Sequence, residues 1–189
     1  MAESAGELRR LMEQGKTRAV GASNLSLAQL EAFAAECPPA AFQPAYNMLM
    51  RQIEADALPW CREHNVAVLV YWPLMKGLLA GKIARDQVFG PDDSRSKYPM
   101  FQGDERRKNH DLVDRLRTIA DAAGHSVTEL VLNWTIHQPG ITAALCGAKR
   151  PEQIGECAGG SGWQLEPDQL AHIDQALADR GPADIRLPV

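Results

Sequence analysis

The stretch Val66–Lys82, VAVLVYWPLMKGLLAGK, has the residue types and spacing to hold a small molecule. Ala67 to Tyr71 are apolar-rich and read as a buried strand. Trp72-Pro73 stops that strand, and Gly77 and Gly81 bracket a short turn that ends on Lys82. A buried strand that carries an aromatic, a proline and a glycine-spaced loop at its C-terminal end is one way to build a cofactor site. In parallel α/β folds the sites sit at that end. A core strand followed by an ordinary loop has the same appearance, so the rest of the chain must decide between the two.

Other chemistries find less support. Four cysteines (Cys37, Cys61, Cys146, Cys157) lie far apart without a CxxC and read as reduced thiols of a cytoplasmic protein. The five histidines are scattered and form no HxxxH pair, so no metal site is expected. Spacing supports no Ser/His/Asp or Cys/His set, no Walker A motif, and no GxGxxG after the first strand. The net charge of −4 offers no basic field for nucleic acid. No apolar run approaches the roughly 18 residues of a membrane span. Glu3, Glu7, Arg9 and Arg10 interrupt any signal-peptide core. The chain has 189 residues, 45% hydrophobic and 23% charged, which suits one well-buried domain.

The elements that must position the candidate site follow a strand–helix rhythm. Glu7–Gln14 reads as an amphipathic helix closed by Gly15. Strands are expected over Lys16–Ala22, Phe42–Asn47 (with Pro44 as a warning), Ala67–Tyr71 and Ile141–Cys146. Ser26 and Gln29 form a capping box for a helix Leu27–Glu36. Further helices are expected over Ile53–His64, Asp111–Ala123, Val127–His137, from Pro151 to the glycines at 159–162, and over Pro167–Asp179. Residues 83–109, rich in Gly, Pro, Asp and Ser, read as a long functional loop. The tail Gly181–Val189 reads as irregular. Repeated strand–helix units imply a parallel sheet, either an open doubly wound one or a piece of a barrel.

Four segments then resemble the aldo-keto reductase family in the right order. GKTRAVGASN (Gly15–Asn24) resembles its fifth strand and FQPAYNMLMR (Phe42–Arg51) its sixth. VYWPLMKGLLAGK (Val70–Lys82) resembles its seventh with the following cofactor loop. GAKRPEQIGE (Gly147–Glu156) resembles the end of its eighth strand and the helix that holds the adenosine phosphate. The resemblance implies an α/β fold of the TIM-barrel type and reduction of aldehydes and ketones with NADPH. It implies that Ser23 and Asn24 bond the nicotinamide carboxamide, with Gln43 as a further amide partner, and that Tyr71 stacks on the nicotinamide ring. It places Trp72 beside that ring and assigns Pro73, Leu74, Gly77 and Lys82 to the pyrophosphate loop. Arg95 is implied as a phosphate contact from the long loop. Gly147, Lys149, Arg150, Gln153 and Glu156 are implied at the ribose-phosphate and adenine end. The types suit the task, since amides answer an amide, an aromatic face supports a planar ring, and Lys or Arg answers phosphate. Two departures bear on affinity: Trp72 stands where many members have Ser, and Cys157 where an adenine-contacting Asn is usual.

The same resemblance defines an expected gap. The family's proton-donating Tyr and its supporting Asp, Lys and His sit on strands two to four. Here the fifth-strand motif begins by residue 16, and neither Tyr46 nor Tyr98 matches the donor's motif. The expectation is a (βα)4 half-barrel, residues 1–189 as one domain, with most of the cofactor cradle and no catalytic residue of its own. A carbonyl reduced by hydride leaves an alkoxide that needs a positioned acid, so little reductase activity is expected from this chain alone. Four strands leave two edges unpaired. A symmetric homodimer that completes the barrel is therefore expected, or an N-terminal half supplied in trans. A non-catalytic NADPH-binding module and a purely structural half-barrel remain as alternatives.

Overall fold

The computed structural model describes residues 2–185, and contacts group the chain into two compact units. The first holds Met1–Tyr46, Arg51–Tyr71 and Gln138–Leu145; the second holds Asn47–Met50, Trp72–His137 and Cys146–Val189.

The first unit carries the sheet. Its strands β1 (Gly21–Ser23), β2 (Ala41–Gln43), β3 (Ala67–Tyr71) and β4 (Ala143–Leu145) run parallel in the order β1-β2-β3-β4. Register places Ser23 beside Gln43, Phe42 beside Val68, and Tyr71 beside Leu145. Side chains alternate across a strand, so one face carries Phe42, Val68 and Val70, all buried. The other face carries Gln43, Leu69 and Tyr71, all half buried, with Ser23 exposed and Leu145 at 41% exposure. The expected fully buried strand at 67–71 has the expected bounds but alternates in burial.

Helix α1 (Ala2–Glu13) is longer than the expected Glu7–Gln14 and packs on α2 (Leu27–Glu36). Ala5, Phe33 and Cys37 form the centre of that contact, with Leu8, Met12 and Val20 around them. The capping box of α2 forms as expected: the Gln29 N–H donates to Ser26 Oγ, and the Ser26 N–H donates to Gln29 Oε1. The expected helix Ile53–His64 is broken. A 3-10 turn over Gln52–Ala55 gives way at Asp56 (φ −144°, ψ −70°), whose carboxylate caps α3 (Ala57–Glu63). The expected strands at the chain start and at 141–146 shrink to three residues each. Only those three find a ladder partner, and Pro44 ends β2 because it lacks an N–H.

The second unit is helical. It holds α4 (Gly103–Ala123), α5 (Val127–Ile136), α6 (Pro151–Ala158) and α7 (Pro167–Arg180). The expected loop 83–109 is a shorter connection with two 3-10 turns, Ser94–Lys97 and Pro99–Phe101, and α4 begins eight residues before the expected Asp111. Leu112, Leu116 and Ala120 are the buried stripe of α4, which packs on α5 and α7; Leu130, Val131 and Trp134 of α5 and Ile173 and Ala176 of α7 are buried too. Residues 181–185 are irregular as expected; the remainder of that expected tail lies outside the described residues.

Candidate functional site

In the first unit, the C-terminal ends of β1, β2 and β3 bring four of the expected residues together. Ser23 Oγ donates to the Gln43 carbonyl at 2.7 Å. The Tyr71 hydroxyl donates to Asn24 Oδ1 at 2.8 Å, reaching across the width of β2. Asn24 has φ 56°, in the left-handed region where Asn is tolerated better than most side chains. That turn lifts its amide off the end of β1, where the Tyr71 bond holds it. The backbone extends the arrangement: the Tyr71 N–H donates to the Pro44 carbonyl at 3.0 Å, and the Tyr46 N–H donates to the Tyr71 carbonyl at 3.1 Å. The result is a half-buried aromatic ring framed by amide and hydroxyl groups, a surface suited to a planar ring that bears an amide.

In the second unit, the segment after β3 is a tight coil rather than a simple turn. Trp72, Met75 and Lys76 all have positive φ (60°, 46° and 55°). Left-handed backbone is costly at non-glycine residues, so the surroundings must hold them. Asn47 Nδ2 donates to the Trp72 carbonyl at 3.0 Å, and Lys76 Nζ lies 4.9 Å from the Trp72 ring centroid and 4.6 Å from that of Tyr98. Gly81 closes the coil at φ 70°, where a Cβ would lie 3.0 Å from the Val127 side chain. Pro73 is buried; Leu74 and Gly77 are half buried along this coil.

The expected cations of this unit differ in how far they are committed. Lys82 donates to the Glu156 carboxylate. Burial acts to raise the Glu156 carboxyl, but hydrogen bonds from Lys82, Ser126 and Thr128 outweigh it and hold it below its ordinary value. Arg95 clamps Asp93 from Nε (2.9 and 3.0 Å) and Nη2 (2.5 Å). This guanidinium, with the Arg95 N–H and the nearby charge of Lys149, holds Asp93 down at about 2. Lys149 and Arg150 are exposed at the start of α6. Gln153 Oε1 accepts from both their backbone N–H groups, at 2.7 and 3.1 Å, which shapes the turn that presents them. Gly147 is exposed with open space around it.

Sequence reasoning missed Asp93, Ser126, Thr128 and Lys76. The signal for Ser126 was present in Ser126-x-x-Glu129, which forms the capping box of α5. Nothing local marks the other three. A cavity of about 300 Å³ in the first unit, lined by Tyr46, Glu54, Arg62 and Pro139 among others, contains none of the expected residues. There the Tyr46 hydroxyl donates to Glu54 Oε1 at 2.6 Å, and burial, reinforced by Glu54, raises its pKa. Among the described residues no group of three or more His, Cys, Asp or Glu is placed to hold a metal, and no helix is long and apolar enough to cross a membrane.

Parallel strands with this set of end residues match a known family. The model of the aldo/keto reductase family matches residues 1–178. The chain belongs to the aldo/keto reductase family. This aldo/keto reductase chain is 34% identical over 176 residues to the aldo-keto reductase YhdN of Bacillus subtilis (strain 168), covering 93% of the chain and 53% of that relative. It is 32% identical over 156 residues to the NADH-specific methylglyoxal reductase of Escherichia coli (strain K12), covering 82% of the chain and 47% of that relative. The structure of the glycerol dehydrogenase AKR11B4 from Gluconobacter oxydans superposes with a TM-score of 0.90 at 37% identity, covering all of this chain and 57% of that one. The chain thus spans about half the length of the relatives it matches. The parallel sheet and its helices match a fragment of the family's barrel.

Proposed function

We propose that these residues are the cofactor-holding half of an NADPH-dependent carbonyl reductase, equivalent to strands five to eight of the family's barrel and folding as one domain. One observation carries the reading. Three neighbouring parallel strands end on Ser23-Asn24, Gln43 and Tyr71, and two side-chain hydrogen bonds join them there. The nicotinamide carboxamide would meet Asn24, Ser23 and Gln43, and its ring the face of Tyr71. The Trp72–Gly81 coil and Lys82 would follow the pyrophosphate. Lys149 and Arg150 would answer the ribose phosphate that separates NADPH from NADH. When bound, the nicotinamide supplies the hydride.

On this reading the 189 residues carry none of the family's Tyr, Asp, Lys and His proton-donating set, since neither Tyr46 nor Tyr98 matches the donor's motif. This polypeptide by itself is therefore expected to bind NADPH without turning over simple aldehydes. Activity is expected when the missing strands are supplied, in the same protein or in trans. The half-buried sheet face of Gln43, Leu69 and Tyr71, with Leu145 at 41% exposure, needs a cover. For the polypeptide alone that cover is a second copy, in a homodimer that completes eight strands and works in the cytoplasm. Sedimentation as a monomer at micromolar concentration would refute the dimer.

The test of the main reading is a titration of NADPH, with NADH in parallel, followed by tryptophan fluorescence at low salt. Saturable micromolar quenching that Tyr71→Ala and Lys149→Ala weaken is the expected result. No binding up to millimolar NADPH would overturn it and leave a structural half-barrel. Turnover of NADPH with a simple aldehyde well above background would overturn the inactivity of the isolated polypeptide.

A further inference from the structure

The cavity of about 300 Å³ in the first unit shares no lining residue with the candidate cofactor surface. Three short pieces of chain build its walls. Arg51 and Glu54 stand three residues apart at the 3-10 turn, and Leu58 and Arg62 stand four apart on one face of α3. Gln138 and Pro139 come from the turn before β4, which the Ile141 N–H closes on the Gln138 carbonyl at 3.0 Å. Arg51 grips Glu54 at two points, Nε to Oε1 at 2.7 Å and Nη2 to Oε2 at 3.0 Å. The wholly buried Tyr46 donates its hydroxyl to the same Oε1 at 2.6 Å. Burial, reinforced by Glu54, raises the Tyr46 pKa, so that hydroxyl stays neutral. Arg62 is placed differently. Its stem lies against Gly140, where a Cβ would come within 2.7 Å of Cδ and 2.8 Å of Cγ, so the glycine lets the turn close on the arginine. Among the described residues the Arg62 guanidinium has no carboxylate and no hydrogen-bond partner. Two guanidinium groups and one carboxylate leave the lining with a single net positive charge, beside the apolar surface of Leu58, Pro59 and Pro139.

We propose that this cavity is a second binding site, which takes a small organic monocarboxylate with an apolar body and holds it by Arg62. The carboxylate accepts the paired N–H bonds of the Arg62 fork, and the body lies on Leu58, Pro59 and Pro139. At the ~30 Å³ that a water molecule occupies in the liquid, the volume admits about ten non-hydrogen atoms, the size of a benzoate. A single negative charge matches the lining. A dianion such as phosphate does not, because its second charge meets Glu54, whose own cation Arg51 is already committed. Phosphate also leaves the apolar wall uncovered. The site stands whether or not the chain holds a nicotinamide cofactor.

The test titrates sodium benzoate into the nitrogen-15-labelled 189-residue chain at constant ionic strength and follows the backbone amide shifts. Saturable shifts gathered on residues 51–62 and 138–141 are expected, with a Kd of roughly 1 mM. Arg62 is exposed, so Arg62→Gln should keep the fold, checked by circular dichroism. That variant should weaken benzoate by about tenfold or more, with Arg62→Lys between it and wild type. Benzyl alcohol, which keeps the ring and lacks the charge, should bind about tenfold more weakly than benzoate. The absence of saturable shifts up to roughly 30 mM benzoate would overturn the proposal. So would shifts centred outside the cavity, or an affinity that Arg62→Gln leaves unchanged. Benzyl alcohol or inorganic phosphate binding as tightly as benzoate would refute the monocarboxylate assignment.

Discussion

Replacing Arg180 tests whether α7 is locked to α4 by charge. The Arg180 side chain is 1% exposed and the Glu105 side chain 18%. Its guanidinium uses every N–H it has. Nε and Nη2 donate to Asn109 Oδ1 at 3.1 and 2.8 Å, Nη2 also donates to Glu105, and Nη1 donates to the carbonyls of Gly181 and Pro182 at 3.1 and 2.5 Å. Asn109 in turn donates to the Met100 carbonyl at 3.0 Å, which anchors the turn before α4. Arg180→Ala leaves a shielded carboxylate and an amide oxygen without their donor. Breaking such a pair from one side costs about 3–5 kcal/mol, or roughly 10 °C in Tm for a chain of this size. Arg180→Met with Glu105→Gln removes both charges and should recover part of the loss. The pH dependence has a fixed sign. Burial acts to raise the Glu105 carboxyl, but Arg180, the Asp184 N–H and Lys108 hold it below its ordinary value. Its contribution is therefore complete above the ordinary carboxylate range and is lost as pH falls through the depressed value. Urea unfolding of wild type and variants between pH 7 and pH 3 is the assay. A loss under about 1 kcal/mol in Arg180→Ala, or parallel pH profiles in wild type and variant, would refute the reasoning.

Tyr71→Phe and Tyr71→Ala should part company. Phe keeps the ring and gives up one hydrogen bond worth about 1 kcal/mol of stability, whereas Ala loses a stacking surface worth about 1–3 kcal/mol, roughly five- to 150-fold in NADPH Kd by fluorescence titration. Equal losses in the two variants would mean that the hydroxyl, not the ring face, serves the cofactor. Gly140→Ala should destabilise by about 1–3 kcal/mol in urea unfolding, because φ there is 96° and the new Cβ would lie 2.7 Å from Arg62 Cδ and 3.0 Å from Leu58 Cδ1. An unchanged midpoint would show that the turn before β4 adapts.

Where structure depends on neighbours in sequence, the chain was readable. Ser26 and Gln29 announced the start of α2, Pro151 opened α6, Gly124 ended α4 at φ 75°, and β3 ran from Ala67 to Tyr71 as expected. Where a distant partner decides, it was not. Lys16–Val20 has a strand's composition, but only Gly21–Ser23 lies beside β2, so the ladder is shorter than the pattern. The first turns of α4, GDERRKNH, show no apolar stripe and read as loop. They are helical because Asn109 and Glu105 are claimed by Met100 and Arg180, a partner 71 and 75 residues away. The break at Asp56 was hidden because its carboxylate caps a helix whose periodicity continues on both sides.

The site divides along the same line. The family resemblance of the strand segments nominated Ser23, Asn24, Gln43 and Tyr71, but the bond from Tyr71 to Asn24 spans β2, which lies between their strands. Charge was harder to read. The resemblance offers Lys82, Arg95, Lys149 and Arg150 as cations for phosphate, each at a different part of the cofactor, and says nothing of which is already paired. In the structure Lys82 is committed to Glu156 and Arg95 to Asp93. A phosphate approaching either must compete with a carboxylate already in contact, which lowers its net gain. Lys149 and Arg150 instead project from a turn fixed through their backbone by Gln153, so their ammonium and guanidinium groups meet a phosphate without first leaving a partner of that strength. Under the proposed reading, a preference for NADPH over NADH would fall on the turn that leads into α6.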